Sequence, residues 1–186
     1  MSQMAQGSTI VSFELALSDI DRQVYETLSF KVARHPSETP LFLVTRVLAY
    51  ALEWTEALAF APDLSTADTP ALWEHDATGQ LQAWIEVGTP DAARLHRARK
   101  ACERVAVYCH RNVDSWLRGL AGQTVHERES IALRQFDAAF VGAVIDRIER
   151  RNAWSLSITE GALYLDIEGP EGNESLQGRV EALAWP

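Results

Sequence analysis

The chain has 186 residues, 47% of them hydrophobic, enough to bury one substantial core and too apolar for a globally disordered chain. Lys plus Arg number 17 against 26 Asp plus Glu, a formal net charge of −9. That balance works against holding a nucleic-acid backbone by bulk electrostatics, so any such role must be local.

Two cysteines are too few for a disulfide framework, the first ten residues lack a basic start and an apolar leader, and no uncharged run reaches bilayer-spanning length. These features point to a reduced, cytoplasmic protein that does not cross a membrane. No repeat or Pro- or Ser-rich linker interrupts the sequence, which predicts one domain over residues 1–186.

The runs Ser8 to Leu17 and Tyr25 to Val32, β-branched or aromatic and separated by the charged turn Ser18-Asp19-Ile20-Asp21, predict a leading hairpin. After His35-Pro36, Ser37 reads as the cap of a helix with Glu38 and Pro40 in its first turn and Leu41, Val44, Leu48, Ala51 and Leu52 at helical spacing. Between Leu72 and Val87 two short segments flank Asp76-Ala77-Thr78-Gly79, a tight-turn composition that predicts a second hairpin. In its second arm Leu81, Ala83, Ile85 and Val87 alternate with Gln82, Trp84 and Glu86, which predicts one buried and one mixed face.

Thr89-Pro90-Asp91 reads as a cap followed by Pro at the first helical position, and Leu95, Ala98, Cys102 and Val105 give the following helix an apolar stripe. Arg104 to His110 also fits the start of a strand. Asn112 to Leu120 and Asp137 to Arg150 read as helical, whereas Ser130 to Gln135, Ala153 to Thr159, Ala162 to Glu168 and Leu176 to Leu183 read as extended. The order implies an α/β or α+β fold with a mixed sheet flanked by helices.

Charge is unevenly placed. Val47 to Ala93 contains no Lys or Arg but eight acids, and the next helix reverses the sign with Arg94, Arg97, Arg99, Lys100 and Arg104. A carboxylate at a strand end beside a basic helix suits a divalent cation with a phosphate ester; a simply solvated helix face has the same spacing and is the more ordinary outcome. Only Lys31 and Lys100 are lysines, so each departs from the chain's habitual arginine.

Ala33-Arg34-His35-Pro36-Ser37-Glu38-Thr39, then Pro70-Ala71-Leu72-Trp73, Asp76, Thr78-Gly79, Trp84-Ile85-Glu86-Val87-Gly88 and Lys100-Ala101-Cys102 together resemble the bacterial YaeQ family. That family is similar in fold to the PD-(D/E)XK, or restriction endonuclease-like, nucleases, in which an Asp and an Asp or Glu hold a divalent metal with a Lys nearby. Laid over this hairpin, the resemblance gives Pro70 the proline, Ala71 the first Asp, Glu86 the second carboxylate and Gly88 the Lys, so two of three chemical groups are missing. Lys100 on the following helix is the candidate relocated lysine.

A two-residue loop at Ala77-Thr78 pairs Asp76 with Gly79 and puts Asp76 roughly 23 Å from Glu86 at ~3.3 Å per residue, too far to share a metal. In that register Ala71 faces Trp84 and lies diagonal to Glu86. Asp68, just before the strand, and Glu38, on the preceding helix, remain as substitutes for the absent Asp. Each also has an ordinary explanation, Asp68 as a loop carboxylate, Glu38 as the acidic start of a helix and Asp76 as a turn residue. Cys102, Cys109, His96, His110 and His126 lack the paired spacings of a zinc site, and Cys102 reads as a buried thiol.

Two functions follow. The resemblance implies a protein with a partly degenerate nuclease-like site, and the charge, Ala71 and Gly88 incline it to non-catalytic nucleic-acid or protein binding or regulation. The other reading is a Mg²⁺-dependent nuclease with Glu86 and Lys100 as catalytic residues and Glu86, Asp68 and Glu38 as metal ligands, binding nucleic acid through the basic helix.

Overall fold

The computed structural model describes residues 8–62, 69–170 and 172–186. The expected leading hairpin forms from β1 (Thr9–Asp19) and β2 (Val24–Arg34), in antiparallel register from Thr9 opposite Arg34 to Asp19 opposite Val24. It leads into α1 (Pro40–Glu53). Ser37 is not the cap. Thr39 is, its hydroxyl accepting from the Phe42 N–H at 3.2 Å, and Pro40 occupies the first turn where a missing N–H costs nothing. Glu38 therefore lies before the helix, not in it. At the other end Arg22 from the hairpin turn donates to the carbonyls of Ala51 (3.0 Å) and Trp54 (3.1 Å), covering the exposed C-terminal acceptors of α1.

Next come β3 (Leu58–Phe60), β4 (Leu72–His75) and β5 (Leu81–Val87). The predicted second hairpin is present, but its register differs by two: Trp73, not Ala71, pairs with Trp84. The cause is the turn. Asp76 Oδ1 accepts from the N–H groups of Thr78 (2.8 Å) and Gln80 (3.0 Å), its own N–H donates to the Gln80 carbonyl (2.9 Å), and Gly79 takes a left-handed φ of 84°. This longer loop, with a bulge between Glu74 and His75, displaces the two-residue turn. Asp76 is a turn residue, as its composition suggested.

α2 (Ala92–Ala101) is capped by Asp91, which accepts from the Arg94 N–H at 2.7 Å, so Thr89 and Pro90 precede the helix. Its stripe stops at Cys102, and Val105 belongs to β6 (Arg104–Cys109). α3 (Val113–Leu120), β7 (Ile131–Phe136), α4 (Ala138–Ile145), β8 (Arg151–Thr159), β9 (Ala162–Gly169) and β10 (Gly172–Leu183) complete the order. α4 ends five residues before the expected Arg150. Asn152 intervenes, accepting from the Glu149 N–H (2.9 Å) and donating to the carbonyls of Glu149 (2.8 Å) and Ser12 (3.2 Å), which ties this segment to β1 instead.

Among the described residues ten strands join one mixed sheet of an α+β fold, in the order β2-β1-β8-β9-β10-β7-β6-β5-β4-β3. β5, β6 and β7 run parallel to one another and β1 parallel to β8; the other pairs are antiparallel. The sheet curls around α1, whose residues Leu43 to Ala49 are buried without a break, the signature of a helix enclosed on all sides. α4 packs on α1 and β10 so closely that a Cβ on Gly178 would meet the Phe140 ring at 2.3 Å.

A second apolar cluster lies on the opposite face of β5 to β7, where Trp84, Val105, Val107 and Leu133 meet Leu95 and Ala98 of α2 and Val113, Trp116 and Leu120 of α3. Both faces of β5 are thus covered, and Ala83 to Val87 are all buried, so the face expected to be mixed is closed over from Trp84 onwards. Among the described residues no helix is long and apolar enough to cross a membrane.

Candidate functional site

Glu86 sits near the C-terminal end of β5, and the alternation that turns Ala83, Ile85 and Val87 towards α1 turns Trp84 and Glu86 towards α2. The carboxylate is buried, its side chain only 5% exposed. Above it the first turn of α2 supplies Arg94, whose Nε donates to Glu86 Oε1 at 2.5 Å and whose Nη2 donates to Oε2 at 3.2 Å. This two-pronged contact is the geometry in which guanidinium and carboxylate match best.

Trp84 Nε1 adds a third donor to Oε1 at 2.5 Å, and its ring lies 5.8 Å from the guanidinium carbon. Arg94 Nη2 is anchored in turn to the Thr69 carbonyl at 2.7 Å. Glu86, Arg94 and Thr69 border a hollow of about 270 Å³ lined also by Phe42, Ala71, Thr89 and Pro90.

Of the other expected site residues, Glu38 and Lys100 are not brought here. Glu38, nearly buried, directs its carboxylate to Arg46 of α1, with Oε1 at 2.9 Å and Oε2 at 3.1 Å from Nη2. Burial pushes the Glu38 carboxyl above its usual range and draws the Arg46 guanidinium below its own, each shift opposed by the partner's charge. Lys100 is exposed in the last turn of α2, six residues past Arg94, about 9 Å along the axis and two-thirds of a turn round. Neither Glu38 nor Lys100 lines the hollow. Asp68 lies outside the described residues.

The fit to Mg²⁺ is poor. That ion needs one or two carboxylates with open positions for water and phosphate, whereas both Glu86 oxygens already accept strong donors. Among the described residues no group of three or more His, Cys, Asp or Glu is placed to hold a metal. The cations of the basic helix are also largely spent: Arg94 on Glu86, Arg99 on Glu127, and Arg104, already in β6, on Glu53 and Glu74.

Arg94 is the residue the sequence reading undervalued. It was one of several cations on a helix face, and only the tight strand-to-helix passage after Val87 fixes it above Glu86. Arg46 carried a clearer signal, being the sole charge between Leu41 and Leu52 of an otherwise apolar helix.

The pattern described as "YaeQ protein" matches residues 4–174. The chain belongs to the YaeQ family. A protein of Salmonella typhi described as "Uncharacterized protein YaeQ" is 26% identical over 184 residues, covering 98% of both chains. The Escherichia coli (strain K12) YaeQ protein is 33% identical over 107 residues, 58% of this chain and 59% of its own. The crystal structure of YaeQ from Pseudomonas syringae superposes with a TM-score of 0.82 at 32% identity, covering 97% of this chain and 98% of that one. YaeQ from Xanthomonas axonopodis pv. citri gives 0.80 at 29%, with 95% and 99% covered. The strings that carried the resemblance, from Ala33 to Thr39 and from Trp84 to Gly88, therefore mark a genuine YaeQ chain.

Proposed function

We propose that this YaeQ protein is a non-catalytic, cytoplasmic binding or regulatory protein built on a relative of the PD-(D/E)XK nuclease fold, with a guanidinium where a nuclease would keep its cation. The observation that carries the reading is the Arg94 contact to both oxygens of Glu86. A fixed positive charge beside a carboxylate supplies the electrostatic complement of a metal without its exchangeable coordination positions, so it stabilises the strand-to-helix passage and activates no water. Ala71 and Gly88 stand where the resemblance expects the first Asp and the Lys, and neither can restore the chemistry.

A protein is the favoured partner over nucleic acid. The net charge is −9, and Arg94, Arg99 and Arg104 are neutralised within the chain, leaving little counterion release to drive binding to phosphates. The nuclease reading requires Lys100 and a second acid to reach Glu86.

The test is an assay of duplex and single-stranded DNA cleavage in Mg²⁺ and Mn²⁺ with the wild type and Glu86→Gln. The expected result is no cleavage that depends on Glu86. Cleavage that Glu86→Gln abolishes overturns the proposal.

A further inference from the structure

One half of the sheet has a face that no helix covers among the described residues. On β2, β1, β8, β9 and β10 the side chains opposite the core are mostly exposed: Thr27, Ser29, Ala16, Ser155 and Ser175 are short, and the large rings of Tyr25 and Tyr164 stand in one row at the far end, beside Ser18 and Ser157. The register sorts the charges on this face into rows. Lys31, Ser12 and Arg151 lie side by side across β2, β1 and β8. The next row holds Ser29, Glu14 and Ala153. It continues one step beyond the Trp154 and Ile167 pair to Glu168 on β9, and then to Asn173 on β10.

Two positively charged side chains thus stand directly beside two negatively charged ones. Glu14, Asp166 and Glu168 rim a hollow of about 270 Å³ whose floor includes Ala16 and Ala153. Lys31, Arg151, Glu14, Asp166 and Glu168 are all exposed and enter no ion pair among the described residues, whereas Arg46, Arg94, Arg99, Arg104 and Arg147 all do.

We propose that this face is where two copies of the chain meet, each seating its Arg151 in the acidic hollow of the other. A two-fold axis running across the strands, between the row of Lys31 and Arg151 and the row of Glu14 and Glu168, lays each cationic row over the acidic row of the second copy. Arg151 then descends over Ala153, with Glu14 one strand to one side and Glu168 one strand to the other. The short floor lets the two sheets close to the ordinary spacing of ~10 Å, and their twist sets an aligned crossing of about 30°.

The complement is already present on the face. A foreign basic segment would satisfy the acids but confront Lys31 and Arg151 with like charge. Only β1 and β2 extend to both sides of that axis; β8 begins at Arg151, and β9 and β10 lie to one side of it. About ten alternate positions therefore overlap, roughly 300 Å² per copy before flanking side chains are added. That is the size of a weak, transient contact, and it makes the dimer reversible and salt-sensitive. The inference is independent of the Glu86 site, which lies on the other half of the sheet.

Sedimentation velocity over a range of protein concentrations tests it. The wild type should show a monomer–dimer equilibrium that weakens about tenfold between low and physiological salt. Arg151→Glu, and separately Glu14→Arg with Glu168→Arg, should each be monomeric with unchanged melting temperature, because all three positions are exposed. An equimolar mixture of the two variants should recover a heterodimer. A wild type that stays monomeric at every concentration, a dimer indifferent to Arg151→Glu, or variants that fail to associate when mixed would each overturn the proposal.

Discussion

Phe30 of β2 stacks on Phe60 of β3 with ring centroids 5.5 Å apart and planes at 24°, although these strands are the opposite ends of the hydrogen-bonded order. Tyr50 of α1 packs against both rings, 4.9 Å from Phe30 and 4.6 Å from Phe60. The sheet thus closes on itself through side chains, with an aromatic seam in place of a strand pair. Phe60→Ala removes the β3 side of the seam and should cost about 2 kcal/mol, less than the ~3–5 kcal/mol of a fully buried aromatic because Phe60 is half-buried. Hydrogen exchange should accelerate first in β2 and β3; equal acceleration throughout the sheet would contradict a local seam.

The buried pair of Glu38 and Arg46 should behave asymmetrically. Arg46→Met strands the Glu38 carboxylate and should lower stability by about 3–5 kcal/mol, whereas Glu38→Leu with Arg46→Met should regain most of that loss. Arg46 Nε lacks a hydrogen-bond partner among the described residues, so the pair is imperfectly satisfied even in the native protein. Urea denaturation of the single and double variants measures the difference.

A metal site should appear only after two changes. Ala71 lines the hollow that holds Glu86, but Arg94 already engages that carboxylate. Ala71→Asp alone should leave Mn²⁺ binding undetectable by calorimetry, and Ala71→Asp with Arg94→Gln should produce it. Adding Glu86→Gln should remove it again. Binding by the single Ala71→Asp variant would show that the guanidinium yields easily.

His110 should impose an acid dependence on stability. Burial, aided by the charge of Arg111, lowers its pKa to about 4 from 6.5. The folded state therefore favours the neutral ring. Its contribution is complete above the unfolded value near 6.5 and is lost as pH falls towards 4, because the unfolded chain takes up the proton first. The whole span is worth on the order of 3 kcal/mol. His110→Gln should flatten the stability profile across that window, and an unchanged profile would remove His110 as the cause.

Both thiols should be inert in the folded protein. Burial pushes Cys109 up to about 12 and also raises Cys102, which suppresses the reactive thiolate. A thiol reagent at pH 8 should modify neither until denaturant is added.

Much of the architecture was legible because it follows local periodicity. Alternation gave the leading hairpin and the strands from Ala153 onwards, and 3.6-residue spacing gave α1. Errors arose where one side chain redirected the backbone: Thr39 in place of Ser37, Asp91 in place of Thr89, and Asp76 gathering three donors to lengthen its turn. Glu86 was recognisable as a strand-end acid through the family resemblance, but its burial was not, because its face of the strand is mixed in sequence. Its pairing with Arg94 was not, since nothing in the spacing distinguishes that arginine from Arg97 or Arg99 until the helix has been set down on the sheet.

The strand order has a consequence for how the protein is made. β8, β9 and β10 are last in the chain, yet they stand between the hairpin of β1 and β2 and the block from β7 to β3. While the nascent chain is still being translated, those two pieces can meet only through side chains at the Phe30–Phe60 seam, and β1 and β7 must each present an unpaired edge. The C-terminal stretch from Arg151 to Leu183 acts as a keystone, so cooperative folding waits for its release from the ribosome, and truncation within it should leave two sticky fragments in place of a smaller protein.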